Sequence, residues 1–209
     1  MGLFSYVVAR DYGFAPNPFC GYCTLATCKP AIRQRANVGD WVVGIASAGD
    51  SDTPRLVYVM RVDEVLTYES YWVDPRFLCK RPSRSGSVKQ LFGDNIYCRD
   101  NGSGWIQADS HHSLPDGSPN ERNIANDTQS EGVLVSQHFA YWGSNAIKIP
   151  QQFLDFNGET ILVGRGYRHC FSDAFVREFV QWFEGLRAHG FFGPPYQWER
   201  KSANWSRSQ

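Results

Sequence analysis

Charge of one sign, long apolar runs and internal repeats are what this sequence lacks, and each absence narrows the field. Lysine plus arginine number 21 and aspartate plus glutamate number 21, so no global positive field draws the chain onto phosphate backbones, and any such contact must be local. No uninterrupted apolar stretch approaches the roughly 20 residues that span a bilayer. The opening MGLFSYVVARDYG lacks the basic start and small-residue cleavage site of a signal peptide, and Gly2 is not followed by the serine or threonine of a myristoylation site. The expectation is a cytoplasmic protein without a membrane partner. Also missing is a second C-x2-C knuckle. The H-x-E with P-C-x-x-C signature of zinc deaminases is absent too, since His111 is followed by His112 and Ser113.

What is present is aromatic: 15% of the chain, with 7 tryptophans, 10 tyrosines and 14 phenylalanines, which supplies core volume and candidate stacking surfaces. A length of 209 residues favours a single domain, 1–209. Its expected parts are a core at about 1–66 and 131–164, an insertion at about 67–130, and a terminal helix at about 172–189. LFSYVVAR at 3–10 reads as a strand, with Phe4, Tyr6 and Val8 on one face. A proline- and glycine-broken loop follows. Thr27 is placed to cap a helix starting between Cys28 and Pro30 and ending near Asn37 to Gly39. DWVVGIAS reads as a buried strand, RLVYVMRVDEV as one half-buried strand, and the intervening AGDSDTP as a turn. Beyond Thr67 periodicity fades, yet the density of apolar aromatics argues for an ordered insertion. Strand signals resume at GVLVSQHFAYWG, NAIKIP and TILVG. A last helix carries Phe175, Phe179, Phe183 and Leu186 as one stripe. This pattern predicts an α+β fold: a small mixed β-barrel with flanking helices.

Three cysteines and a lysine in FCGYCTLATCKP carry the first chemical question. Cys20, Cys23 and Cys28 with His111 or His112 could supply zinc ligands, although one isolated C-x2-C is weak support and packing thiols are commoner. In a reducing compartment the six cysteines are expected as thiols or metal ligands rather than disulfides. A nucleophile is the other reading: Cys28, and second to it Cys23, with Lys29 as an adjacent cation that favours thiolate. In ADSHHSLPDGS, His111 and His112 are candidate acids and bases, with Asp109 as an orienting carboxylate. Asp94 and Asn95 have the chemistry to bond a base edge, or simply to make an Asx-turn. Lys80, Arg81, Arg84 and Lys89, and further on Arg165 and Arg168, are local basic clusters fit for a phosphate chain. No cofactor is expected, and no metal is preferred.

At YVVARDYGFAPNPF, CTLATCKP, VGDWVVG, YWVDPRF, GDNIY and DSHHS with DGSPN, the sequence resembles the nucleotide-modification-associated domain of the second type. The resemblance implies a protein of DNA base-modification systems, with modified DNA and other modification proteins as partners. NVGDWVVGIAS together with RLVYVMRVDEV is also similar to the start of PUA-like domains, including the ASCH and EVE types, which are small β-barrels that hold nucleobases or nucleic acids. On that footing the chain is expected to hydrate the nitrile of 7-cyano-7-deazaguanine in DNA to the amide. Tyr12, Asn17, Thr24, Trp72, Asp94, Asn95, Tyr97 and Trp105 would then line the substrate site. The alternative is a non-catalytic reader of a modified base that recruits modification or restriction proteins.

Overall fold

A computed structural model describes residues 1–47, 53–100 and 104–198. Most of the expected turn at 48–54, and the tail beyond 198, lie outside the described residues. The strands are β1 (Leu3–Val8), β2 (Cys23–Leu25), β3 (Trp41–Ala46), β4 (Arg55–Arg61), β5 (Glu64–Leu66), β6 (Tyr97–Asp100), β7 (Gly104–Gln107), β8 (Val133–Ser136), β9 (Phe139–Tyr141), β10 (Ile147–Lys148), β11 (Tyr167–Arg168) and β12 (Gly190–Phe191). The α-helices are α1 (Pro30–Arg35), α2 (Tyr68–Val73), α3 (Val88–Leu91), α4 (Glu121–Asp127) and α5 (Asp173–Gly185). The chain divides into two compact units, Met1–Tyr12 with Ala36–Val62 and Gln137–Gln209, and Gly13–Arg35 with Asp63–Ser136.

The first unit is a seven-stranded sheet in the order β11-β1-β3-β4-β9-β12, with β10 also paired to β4. β1 and β3 run parallel, Leu3 opposite Trp41 through Val8 opposite Ala46. β4 is buried from Leu56 through Met60, so it is a central strand covered on both faces rather than the half-buried strand its alternation suggests. Gly44 on β3 is required by close approach: a Cβ there would lie 2.4 Å from the Tyr58 ring. Helix α5 is capped by Ser172, whose Oγ accepts from the Phe175 N–H at 3.2 Å. It packs Phe175, Phe179 and Phe183 against Trp41, Val43, Ala140 and Trp142, each buried phenylalanine contributing roughly 1.5–3 kcal/mol. Leu186 lies past the end of α5 and is 40% exposed, outside the stripe expected for it.

The second unit holds the three-stranded antiparallel sheet β2-β8-β5 and the β6-β7 hairpin. The run expected as one strand from Arg55 to Val65 is broken at 62–63, where the Val62 N–H donates to Asp40 and the Asp63 N–H to Val135. Beyond the break, β5 pairs with β8. TILVG forms no strand: Ile161 is buried and donates its N–H to the Phe153 carbonyl, and the edge strand forms later, at Tyr167–Arg168. The α+β class holds, but among the described residues no sheet closes into a barrel. The large sheet ends at the two-residue strands β11 and β12.

Candidate active site

All the residues that meet at the candidate site belong to the second unit. β2 delivers the chain into a loop in which Cys28 and Lys29 both have left-handed backbone, φ 56° and 42°. For residues with a Cβ this conformation costs about 1–2 kcal/mol each, and such strain concentrates at functional sites. Helix α1 begins at Pro30, the late end of the expected range, and stops at Arg35, short of the expected Asn37 to Gly39; the Lys29 carbonyl receives its first N–H groups, from Ile32 and Arg33. The Thr27 hydroxyl, expected as the cap, is buried without a hydrogen-bond partner.

Arg33 fixes this loop from below. Its guanidinium donates to the carbonyls of Cys28 (2.9 Å), Ser130 (2.8 Å), Gly132 (2.7 Å) and Asp127. His112 is fixed through its main chain: its N–H donates to Ser110 Oγ at 3.2 Å and its carbonyl accepts from Asn123 Nδ2 at 2.8 Å. Asn123 sits on α4, and the same helix ends in Asp127.

The result is a chain of three functional groups. Cys28 Sγ lies 3.6 Å from His112 Nε2, and His112 Nδ1 lies 2.8 Å from Asp127 Oδ2. That is the arrangement of an activated nucleophile, a base and an orienting carboxylate. Tyr97 on β6 donates to Asp127 Oδ2 at 2.9 Å, and its cross-strand partner Gln107 donates Nε2 to the Tyr97 hydroxyl at 3.0 Å. Burial and the neighbouring Asp127 charge hold the Tyr97 hydroxyl well above its ordinary pKa, so it stays a donor. Asp127 Oδ1 accepts from the Cys28 N–H at 2.8 Å and from Asn126 Nδ2 at 3.1 Å.

Burial opposes charge on both partners of the imidazole–carboxylate pair, but the hydrogen bonds win. His112 is desolvated, yet its bonds to Asp127 and Cys28 push it up to about 9. Asp127 is fully buried, yet His112 and the other donors keep its carboxyl below the ordinary range. Burial lowers the Lys29 ammonium, with Cys28 opposing. At neutral pH the imidazole thus carries a proton directed at sulfur. Rate should therefore hold up to about pH 9 and decline above it as His112 deprotonates. In Asp127→Asn that alkaline limb should move down toward the ordinary imidazole value of about 6.5, which a pH–rate profile reads directly.

Cys28, His112 and Asp127 also offer thiol, imidazole and carboxylate atoms within 4.8 Å of one another. A carboxylate has about four acceptor directions, and those of Asp127 are taken by Cys28, Asn126, Tyr97 and His112. A metal taking Asp127 as a ligand would have to displace one of these donors. The zinc set weighed from sequence is not assembled. Cys20 pairs with Cys79 as a disulfide, their Cα atoms 6.7 Å apart, so two of the six cysteines are neither the thiols nor the ligands expected. Cys23 is fully buried in β2 opposite Ser136.

The remaining sequence candidates fall into separate groups. Asp109, expected to orient a histidine, pairs instead with Arg84 at 2.6 Å. His111 is exposed and packs edge-on against Phe14 and Phe92. Lys80 is no surface cation: it is buried, and its ammonium donates to Asn17 O (2.8 Å), Asn17 Oδ1 (2.7 Å), Tyr22 O (3.0 Å) and Thr24 Oγ1 (3.0 Å). Burial lowers its pKa to about 8, against the pull of Asp94 and Cys23. Asp94 accepts from Thr24 at 2.6 Å and Tyr71 at 2.8 Å, and burial raises its carboxyl against Lys80. Asn95 donates to the carbonyls of Tyr71 and Phe77. Asn17, Thr24, Lys80, Asp94 and Asn95 thus form an internal polar network of the second unit.

Arg81 lies over the Trp72 ring at 4.0 Å, Arg99 over Trp105 at 4.2 Å, and Lys89 over Phe19 at 5.5 Å. Arg165 and Arg168 belong to the first unit, with Arg168 on β11 over Phe171. Tyr12, also in the first unit, accepts at its carbonyl from Trp198.

A family model described as nucleotide modification associated domain 2 matches residues 1–202. The chain belongs to this family. No curated protein matches it, and no solved structure does. Membership of the nucleotide modification associated domain 2 family ties the chain to modification of nucleotides in DNA. No helix among its described residues is long and apolar enough to cross a membrane. Asp127 is the member of the triad that sequence reasoning missed. The signal that could have found it is the helix start at Asn120 followed by Glu121, a cap-plus-acid pattern inside the polar stretch.

Proposed function

We propose that the protein tailors a base in DNA by covalent thiol catalysis, hydrating the nitrile of 7-cyano-7-deazaguanine to the amide. The observation that carries the reaction type is the Cys28–His112–Asp127 alignment, with the histidine protonated at neutral pH. A nitrile needs a nucleophile at carbon and a proton at nitrogen in the same step, which a cysteine sulfur beside a protonated imidazole supplies. Family membership supports a nucleotide as the substrate.

In the first step Cys28 sulfur bonds to the nitrile carbon, one C–N π bond breaks, and His112 gives its proton to nitrogen, leaving a thioimidate. Neutral His112 then takes a proton from water as the water oxygen bonds to the same carbon. Transfer of that proton to nitrogen gives a tetrahedral species, whose collapse breaks the C–S bond as His112 takes the proton of its hydroxyl, releasing the amide and restoring the thiolate and the protonated imidazole. Over the cycle, one water is added and nothing is oxidised or reduced. Asp127 holds the imidazole in the orientation that serves both steps. It also occupies the Cys28 N–H, so that amide is not the donor to the developing negative nitrogen, and Lys29 supplies positive field beside the sulfur.

The test is nucleoside mass spectrometry of DNA bearing 7-cyano-7-deazaguanine, incubated with the protein beside unmodified DNA. The expected result is a gain of one water on the modified nucleoside alone. Binding to that DNA with no change of mass would overturn the enzyme reading in favour of a reader. Formation of the carboxylic acid with loss of ammonia would overturn the hydratase assignment while keeping the nucleophile.

A further inference from the structure

Behind the triad runs a chain of hydrogen bonds whose direction is fixed at its far end by the main chain. The Asn120 N–H, which can only donate, gives its proton to Gln107 Oε1 at 2.8 Å. Gln107 therefore turns Nε2 the other way, toward the Tyr97 hydroxyl at 3.0 Å and the His112 carbonyl, which can only accept, at 3.5 Å. A phenol has one proton. With Nε2 donating to its oxygen, Tyr97 directs that proton at Asp127 Oδ2, 2.9 Å away, the oxygen that His112 Nδ1 also reaches at 2.8 Å. We infer that Gln107 and Tyr97 are positioning residues of the site: they commit the phenol as a donor, so that Asp127 Oδ2 is shared between phenol and imidazole. The inference rests on the Cys28–His112–Asp127 reading above, but not on the identity of the substrate.

Tyr97 and Asp127 are fully buried and Gln107 is 6% exposed, so bulk water does not stand in for any of these donors. Burial and the neighbouring Asp127 charge keep the Tyr97 hydroxyl protonated. Its ring is held edge-on by Tyr68 at 5.2 Å and Trp105 at 6.4 Å, contacts that do not depend on the hydroxyl. The other groups about the pair meet it at different atoms. Arg33 and the Tyr68 hydroxyl donate to the Asp127 carbonyl, while the Cys28 N–H and Asn126 donate to Oδ1. Lys29 stands beside Cys28, and the His111 ring lies 6.0 Å from that of His112. Among the described residues, Tyr97 alone competes with the imidazole for Oδ2.

Sharing that oxygen tempers the triad. Each hydrogen bond to a carboxylate favours its charged form and lowers its basicity, so an oxygen already holding the phenol proton pulls less on the imidazole N–H. A carboxylate serving His112 alone would grip the imidazolium more tightly and leave it a more reluctant acid at Nε2, the nitrogen that faces sulfur. Tyr97 thus keeps the orienting bond while leaving the ring able to give up its proton.

Nuclear magnetic resonance of the nitrogen-labelled full chain at neutral pH reads this without any substrate. The Nδ1 proton of His112, assigned by its loss in His112→Gln, is expected far downfield of the amides because it is bound to a carboxylate. In Tyr97→Phe, which keeps the packed ring, it should move further downfield and exchange with water several-fold more slowly, since the imidazole gains sole use of Oδ2. Gln107→Glu keeps an oxygen for the Asn120 N–H but offers the phenol an acceptor, so the Tyr97 proton turns away from Asp127 and the resonance should move in the same direction. Substitutions that only disturbed packing would loosen the histidine instead. A resonance that stays in place, moves upfield or vanishes in Tyr97→Phe would therefore overturn the inference while leaving the triad. A parent chain with no carboxylate-bound proton on His112 would overturn the triad and this inference together.

Discussion

Cys28→Ala should abolish base conversion, lowering turnover by roughly 10⁴–10⁶-fold, with the unfolding temperature almost unchanged. The side chain is half-buried at the site, while the main-chain bonds that hold its loop, from Arg33 to the Cys28 carbonyl and from the Cys28 N–H to Asp127, survive the substitution. Because nucleophile and base act as a unit, Cys28→Ala with His112→Ala should be no slower than Cys28→Ala alone. Cys23→Ala is the matched control: it empties a buried position in β2 and should cost stability while leaving a working site. Cys28→Gly should be inactive yet more stable than Cys28→Ala by about 1 kcal/mol, since glycine takes the left-handed backbone at no steric cost. Single-turnover kinetics beside thermal unfolding would check all four variants, and substantial turnover in Cys28→Ala would sink the covalent route.

The second large effect is on stability. Arg33→Met keeps the aliphatic volume but strips donors from four carbonyls, that of Cys28 and those of Asp127, Ser130 and Gly132 in one stretch far along the chain. Leaving several buried acceptors unpaired should cost roughly 3–5 kcal/mol, a fall of about 10 °C for a chain of this size. Arg33→Lys should recover only part of it, because one ammonium cannot span the planar fork of bonds. Turnover measured well below the melting point should fall as well, since the Cys28 loop loses its support. A melting point within about two degrees of the parent would show that water replaces the guanidinium.

How much of this was legible depended on whether the information was local. β1, β3, β4 and α5 follow from apolar periodicity, and the structure places all four close to where the pattern puts them. The switch of partners at Val62 and Asp63 was not legible, because the composition runs on unchanged through a point where only tertiary pairing differs. Cys28 and His112 stood out as a thiol beside a lysine and a histidine in a loop, and the structure brings those two together. Asp109 was the nearer acid in sequence, yet it is claimed by Arg84, while Asp127 reaches the imidazole because α4 carries it there. Lys80 misleads for a related reason. A lysine in a basic run reads as solvated until four oxygens from Asn17, Tyr22 and Thr24 are found around its ammonium.

One carboxylate of the triad faces two ways. Asp127 bonds the main chain of the nucleophile through one oxygen and the ring of the base through the other. The sulfur-bearing loop and the imidazole are therefore registered against a single rigid datum, so a displacement of that datum carries both reacting groups along instead of opening the gap between them. Tolerance to small movements of α4 comes with this design, and so does a single point of failure.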